Sequence, residues 1–419
     1  MTAGRSRKEV IRAAINDDKK RIAVMLDRIK ELAEKYHGRM VELRRYFHAH
    51  PETAFEEVQT SKKIKSELSR LKLKSTSMAK TGIMAVLKGK KEKPVCALRS
   101  DIDALPIDEK TDLPFKSKNE GRMHACGHDM HMAMVLGAAM ILKDIKSDLN
   151  GTVRFIFQPA EEVPPGGAIE MIKAGAMKNP PVKMIFGLHN DPIIPSGRIG
   201  VRDGVMMSEV LDFNLTIHGQ GGHGARPHDA VDSIVIASQI INAAQSIVAR
   251  RINPNSRAVL TFGTIEGGRA RNIIAGEVSL EGTIRGSDSK SVKTVKKSLE
   301  KIVTGITNAN GAKYNLEYVA NYPALKNNPL ANRFIIETAQ ELYGKNSVTY
   351  LANPELGGED FARYLKYAPG AMFRLGVRNR DVGAVHQWHS NMFNVDEEAM
   401  KVGSAVLAGA VYNFLDKKG

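Results

Sequence analysis

Five short segments carry side chains able to hold a metal ion or move a proton. The densest is MHACGHDMH, residues 123–131, which packs His124, Cys126, His128, Asp129 and His131 into one loop ahead of a helix. Thiolate and imidazole are common ligands of divalent transition metals. Cys126 and His128 stand two apart, so an extended segment would turn both to one side. Asp129 is placed to cap the following helix and hold the loop rigid. The second segment, FIFQPAEE, runs a strand through Pro159 into two adjacent glutamates, Glu161 and Glu162. Neighbours on an extended chain point apart, so one carboxylate can bind metal while the other faces a bound water as general base. Alone, such a pair is most often a solvated surface feature. MIFGLHN brings His189 to the end of an apolar strand, where a lone histidine is more often a satisfied core residue than a ligand. WHSNMF places His389 in a polar loop before the last helix. PVCALRSDIDALP closes a strand with Asp101 and Asp103; turn chemistry is the plain reading, orientation of metal ligands the functional one. Separated pieces that each put a Cys, His or Glu at a strand end or helix start make a joint accident improbable.

Such segments need a scaffold that ends its strands at one edge. From 84 to 200 IMAVLKG, PVCALRS, TVRFIFQ and KMIFGL read as buried strands, with helices at 130–145 and 166–175 between them. This predicts an α/β layer around a central mixed sheet, with the site just beyond the strand ends. Near residue 205 the texture changes. LDFNLTIHG alternates Leu211, Phe213, Leu215 and Ile217 as a half-buried strand does. A helix at 229–250, strands in RAVLTFGTIEGG and IIAGEVSLEGTIRG, a helix at about 288–308 and the strand KYNLEYV follow. The β-α-β-β-α-β order predicts a ferredoxin-like α+β domain inserted at 206–318. The strand AMFRLGV and a helix at about 396–415 return to the first domain, so 38–205 and 319–419 form the metal-binding catalytic domain. Residues 8–47 read as one long helix, with Ile22, Met25, Ile29 and Leu32 at helical spacing and Pro51 as its stop. Its basic start, residues 1–37, is set apart as an N-terminal extension.

Composition narrows the class. With 42% hydrophobic and 26% charged residues, the 419-residue chain can bury more than one core. No apolar run reaches the roughly 20 residues that span a bilayer, and no signal-peptide pattern opens the sequence. Two cysteines, Cys96 and Cys126, fit a reducing, cytoplasmic setting better than a disulfide framework. The net charge of +15 raises nucleic-acid binding as a rival. Residues 1–45 hold 13 Lys/Arg against 7 Asp/Glu, and the rest of the excess reads as spread without a basic stripe, so no specific nucleic-acid partner is expected.

The segments RSDIDALP, MHACGHDMH, QPAEE, GLHN, GQGGHGARPH, GGRARN, GTIR, GGEDFARY and HSNMF, in that order, resemble the aminoacylase-like metallopeptidases. The likeness is specifically to the branch of hippurate hydrolases, N-acyl-amino-acid and auxin-conjugate amidohydrolases and related carboxypeptidases. Carried over residue by residue, the resemblance implies Cys126, His128, Glu162, His189 and His389 as ligands of two divalent ions, and Glu161 as general base. It implies that His223, in the inserted domain, steadies the oxyanion in a partner subunit's site and that Asn272 is contributed the same way. A homodimer built through the inserted domain follows, with a higher oligomer left open. Asp103 joins the catalytic set by orienting the ligands. Arg285 is a candidate for the substrate carboxylate, and Gly357 and Gly358 for close approach of backbone N–H groups to substrate. Zn fits the thiolate best, with Mn, Co or Ni also open.

The activity implied is amide hydrolysis of N-acyl amino acids. Glu161 would take a proton from a metal-acidified water and pass it to the leaving amine. A metallocarboxypeptidase acting on short or blocked peptides has the same site and stays open. A catalytically inactive binding protein of the same fold is the non-enzyme alternative, against which the complete ligand set argues. Ser390-Asn391 stands where the family usually has Ser-Pro, and VPPGGA follows the glutamates.

Overall fold

The computed structural model describes residues 7–418, which form two compact units. The first runs to Gly204 and is completed by Asn327–Ala352 and the chain from Tyr364 onward. The second comprises Val205–Lys326 and Asn353–Arg363.

An eight-stranded mixed sheet organises the first unit, in the order Lys74–Met78, Gly82–Lys88, Thr152–Gln158, Val95–Asp101, Val182–Pro195, Gly370–Arg378, Ile199–Val201 and Val348–Tyr350. The four central strands, from Thr152–Gln158 to Gly370–Arg378, pair in parallel. Val95–Asp101 and Thr152–Gln158 are buried at every residue, as strands covered on both faces must be. Helix His128–Asp144 is apolar almost all round and buried from His128 to Leu142, which suits a helix enclosed between the sheet and other helices. Pattern reading missed helices Val58–Arg70 and Pro329–Tyr343 as defined elements, along with the short edge strands.

Helix Arg7–Ala49 packs on His128–Asp144 and on the last helix, Ala399–Lys418. Ile29 at 0% exposure is as buried as Leu43 at 1%, and Arg21 pairs with Asp416 at 2.6 Å. The expected boundary at residue 37 is therefore not a structural break: one helix runs through it, and its apolar stripe belongs to the core. Residues 1–6 of the expected extension lie outside the described residues.

The second unit is a four-stranded antiparallel sheet in the order Ala258–Gly267, Glu277–Gly286, Glu209–His218, Lys313–Tyr322. Helices Ser233–Arg251 and Ser289–Ala309 pack on it, so chain order is β-α-β-β-α-β. Alternation holds as read: Leu211, Phe213, Leu215 and Ile217 enter the core. Each helix starts at an aspartate cap, Asp232 accepting from Ile234 and Val235 N–H and Asp288 from Ser291 N–H. The segment Asn353–Arg363, expected with the catalytic domain, belongs here instead. Ser208 N–H donates to the Glu355 carbonyl at 2.9 Å, and Arg285 Nη1 to the Leu356 carbonyl at 3.0 Å. Among the described residues, no helix is long and apolar enough to cross a membrane.

Because Ile29 sits in the core, Ile29→Ala is expected to destabilise the first unit by about 2–4 kcal/mol in urea unfolding. A loss below about 0.5 kcal/mol would return the helix to the status of a detachable extension.

Candidate metal centre

Parallel pairing sets the site's height. Asp101 is paired with Gln158, and Arg99 with Gly187, which brings His189, two residues on, level with Asp101. Past Asp101 the chain reaches Asp103. Past Gln158 it bends through Ala160, whose φ of 52° is left-handed, into Glu161 and Glu162. The glutamates thus follow a bend, not the extended run expected, and ligand oxygens of both lie within 4.8 Å of a His128 nitrogen. Cys126 and His128 also depart from expectation. Gly127 between them has φ 80°, and His128 opens the helix, so the turn rather than an extended alternation brings the two together. A side chain at Gly127 would also collide with Asn190.

Ligand atoms of Cys126, His128 and His189 lie within 4.8 Å of one another, and so do those of Cys126, Glu162 and His389. Glu162 Oε1 stands 3.7 Å from His128 Nε2 and 3.6 Å from His389 Nε2, and Cys126 Sγ stands 3.5 Å from His189 Nε2. Tautomers follow from the outer nitrogens. His128 Nδ1 is 2.9 Å from the Asp103 carbonyl and His189 Nδ1 is 2.8 Å from the Asn190 carbonyl. A carbonyl only accepts, so both rings hold their proton on Nδ1 and offer the Nε2 lone pair inward. His128 Nε2 and Glu162 Oε1 have no hydrogen-bond partner although both are buried. Burial opposes a charge on His128, yet Asp101 and Asp103 outweigh it and push its pKa up to about 10. Burial, then Glu162 and Glu161, push the Cys126 thiol up. Asp101 and Asp103 thus favour positive charge at this spot, and a divalent cation on His128 Nε2, in place of a proton, would supply it.

A shell of hydrogen bonds fixes these atoms. Asp103 Oδ2 accepts the Glu162 N–H at 3.0 Å while its own carbonyl holds His128, so this one residue positions two of the converging side chains. Glu57, buried, accepts the Ala160 N–H at 2.9 Å and steadies the bend. Asn190 Nδ2 donates to the Cys126 carbonyl at 2.6 Å, and Trp388 Nε1 donates to Asn190 Oδ1 at 3.0 Å. Asp101 binds His131 Nδ1 at 2.7 Å and Arg99 at 2.7 Å. His389 N–H donates to the Ala125 carbonyl at 2.9 Å, with φ 63° at His389, a strained backbone for a non-glycine residue.

Asp129 does not cap the helix. Its N-cap is Gly127, without a side-chain cap bond, and Asp129 Oδ2 accepts instead from Arg44 Nε at 3.0 Å and His48 Nδ1 at 2.9 Å. His48 Nε2 lies 3.1 Å from Glu109 Oε1. His124 joins none of the candidate ligand groups; burial lowers its pKa to about 4, leaving it neutral.

The profile of Peptidase family M20/M25/M40 matches residues 97–413. The chain belongs to this family. It is 39% identical over 90% of its length to N-acetylcysteine deacetylase of Bacillus subtilis, covering 97% of that protein. To thermostable carboxypeptidase 1 of Saccharolobus solfataricus it is 37% identical over 94% of its length and all (100%) of that protein's. A crystal structure of a Bacillus subtilis dinuclear metal binding peptidase from the M20 family superposes with a TM-score of 0.79 at 35% identity, covering 91% of this chain and 99% of that one. Membership in the M20 family makes the chain a metal-dependent hydrolase.

The remaining residues singled out in the sequence lie in the second unit. Gly222–His223 pairs with Ile273–Ile274, and Gly224 N–H donates to the Asn272 carbonyl at 2.8 Å, so His223 and Asn272 stand on neighbouring segments. His223 is exposed, its Nδ1 accepting from Ala225 N–H at 3.1 Å. Arg285 spends one N–H on the Leu356 carbonyl, and Gly358 has a packing reason, since a side chain there would strike Tyr322. Both observations give these positions a structural role. Sequence reasoning passed over Asn190, Glu57, Arg44 and His48. Asn190 was in view as the last letter of GLHN, and His48 sat in FHAHPE, but hydrogen bonding between distant segments leaves no periodic trace.

Both ring nitrogens of His48 face carboxylates, which requires the imidazolium. Burial opposes the charge, but Asp129 and Glu109 prevail and raise the pKa above 6.5. Its contribution to stability is therefore complete below about pH 6.5 and is lost as pH rises through the higher folded value. His48→Gln is expected to cost about 3 kcal/mol near pH 6 and clearly less near pH 9 in urea unfolding. A pH-independent difference would show that His48 is neutral in the fold.

Proposed function

We propose that this protein hydrolyses the amide bond of N-acyl amino acids, in the manner of aminoacylases and hippurate hydrolases. The observation that carries the reading is the convergence of Cys126 Sγ, His128 Nε2, Glu162 Oε1 and His189 Nε2, with Glu161 alongside and with His128 Nε2 and Glu162 Oε1 buried without a hydrogen-bond partner. Cys126, His128, Glu162, His189 and His389 hold two divalent cations, Zn first because of the thiolate, with Mn, Co or Ni as alternatives. Bound there, such cations acidify a water and polarise a carbonyl.

Glu161 accepts the attacking water's proton on its carboxylate and delivers it to the leaving nitrogen, which would otherwise depart as a poor amide anion. Asp103 keeps the Glu162 backbone and the His128 ring in register through both proton movements. His223 steadies the oxyanion, with Asn272 beside it, each serving the partner's site in a homodimer joined through the inserted domain 206–318. Arg285 and Gly358 keep the second unit's loop in shape, and Arg285's other N–H groups hold the substrate carboxylate. A cytoplasmic location accords with two unpaired, buried cysteines.

A second reading, carboxypeptidase action on short or blocked peptides, is favoured by the likeness to the Saccharolobus enzyme. N-acetyl, N-benzoyl and aminoacyl derivatives assayed side by side separate the two. Glu161→Gln is expected to lower kcat by about 10²–10⁴-fold while bound metal stays at the wild-type level. Activity within tenfold of wild type would remove Glu161 from the chemistry. Chelation is expected to abolish hydrolysis and lower Tm together, both restored by divalent metal; an unchanged Tm would mean the cluster holds no ion in the native protein.

A further inference from the structure

Helix Ser289–Ala309 buries Val292, Val295, Leu299 and Val303 and turns a second stripe outward. Lys290, Lys293, Lys297 and Lys301 recur at i, i+3, i+7 and i+11, all exposed, within about 80° of arc and along about 16 Å of helix. Among the described residues none of these four ammonium groups has an ion-pair partner within 4.0 Å. The neighbouring carboxylates are otherwise engaged: Asp288 caps Ser291 N–H at 2.8 Å, and Glu209 accepts from Ser289 Oγ at 2.6 Å. Glu300 lies half-buried to one side. Helix Ser233–Arg251 packs alongside and contains no Asp or Glu. Asn310 Nδ2 reaches Gln239 Oε1 at 3.3 Å, so the two helices run antiparallel, and Ser287 N–H bound to the Arg257 carbonyl at 2.9 Å closes the other end. Exposed Arg251 and Arg257 are therefore at the end where the lysine stripe begins.

The basic excess is thus not spread evenly, as the sequence reading had it; helical periodicity gathers part of it on one face. Lys293 and Lys297, like Lys297 and Lys301, are like-charged neighbours at i,i+4, which costs the isolated helix stability. Helix Ser289–Ala309 carries no aromatic residue on which a base could stack, and its cationic groups are ammonium ions, not guanidinium forks. Thr294, Thr304 and Asn308 complete the face, so contact would be electrostatic, without insertion.

We propose that this face docks the protein on an anionic phospholipid bilayer, as a peripheral contact of the helical layer of the second unit. Each lysine near such a surface contributes about fivefold to partitioning, so four together give roughly 600-fold.

The test is co-sedimentation with vesicles of phosphatidylcholine alone or containing about 30% phosphatidylserine. The full-length protein is expected to bind only the anionic vesicles, and to be released on raising salt from about 0.1 M to 0.5 M. The variant Lys290→Gln, Lys293→Gln, Lys297→Gln, Lys301→Gln should lose two to three orders of magnitude in partitioning, with hydrolysis unchanged and Tm equal or higher. A control with the same net charge, Lys62→Gln, Lys90→Gln, Lys178→Gln, Lys183→Gln, should keep binding. Absence of binding to anionic vesicles, equal loss in both variants, or binding to a DNA oligonucleotide but not to vesicles would each overturn the proposal.

Discussion

Lone pairs repel. At the edge of the central sheet a thiol sulfur, two imidazole nitrogens and a carboxylate oxygen converge within a few ångström, and two of them, His128 Nε2 and Glu162 Oε1, are buried with no hydrogen-bond partner. Left to themselves these groups would turn to water or to one another's protons. Everything around them is arranged to stop that. The outer nitrogens of His128 and His189 are tied to backbone carbonyls, the Glu162 backbone to Asp103, the Cys126 carbonyl to Asn190, and the His389 backbone to Ala125. The electrostatic cost of the cluster would be offset by a bound cation and cannot be relaxed by rotation.

The same constraint explains where rigidity is concentrated. Ala160 and His389 hold left-handed backbone conformations that non-glycine residues seldom adopt, and each lies on a chain that delivers a carboxylate or imidazole to the cluster. Such strain persists only where surrounding bonds over-determine it. Glu57 accepting from Ala160, and Ala125 accepting from His389, do so.

Much of this was legible in the letters, and the rest was not, for one physical reason. Periodicity is local, so the buried parallel strands, the βαββαβ order of the second unit and the terminal helix could be read from spacing alone. Residue type is also local, so Cys126, His128, Glu161, Glu162, His189 and His389 could be nominated. Conformation at a bend is decided by distant partners. Asp129 looked like a cap and is instead clamped by Arg44, and the glutamate pair looked extended and instead follows a turn. The role of residues 21–37 stayed open because an amphipathic helix does not state what its apolar face will meet; here it meets helix His128–Asp144 and the last helix of the chain.

That last contact has a consequence for synthesis. Arg21 and Asp416 are joined in the folded molecule but lie 395 positions apart in the chain. As the polypeptide leaves the ribosome, helix His128–Asp144 follows the first helix early, but the part of the apolar stripe that the last helix covers has no native cover for most of translation. The second unit contains its own sheet, helices and core, and Asn353–Arg363 completes it well before the end. The middle of the chain can therefore settle while its beginning waits, and the M20 catalytic unit closes only when the final helix emerges.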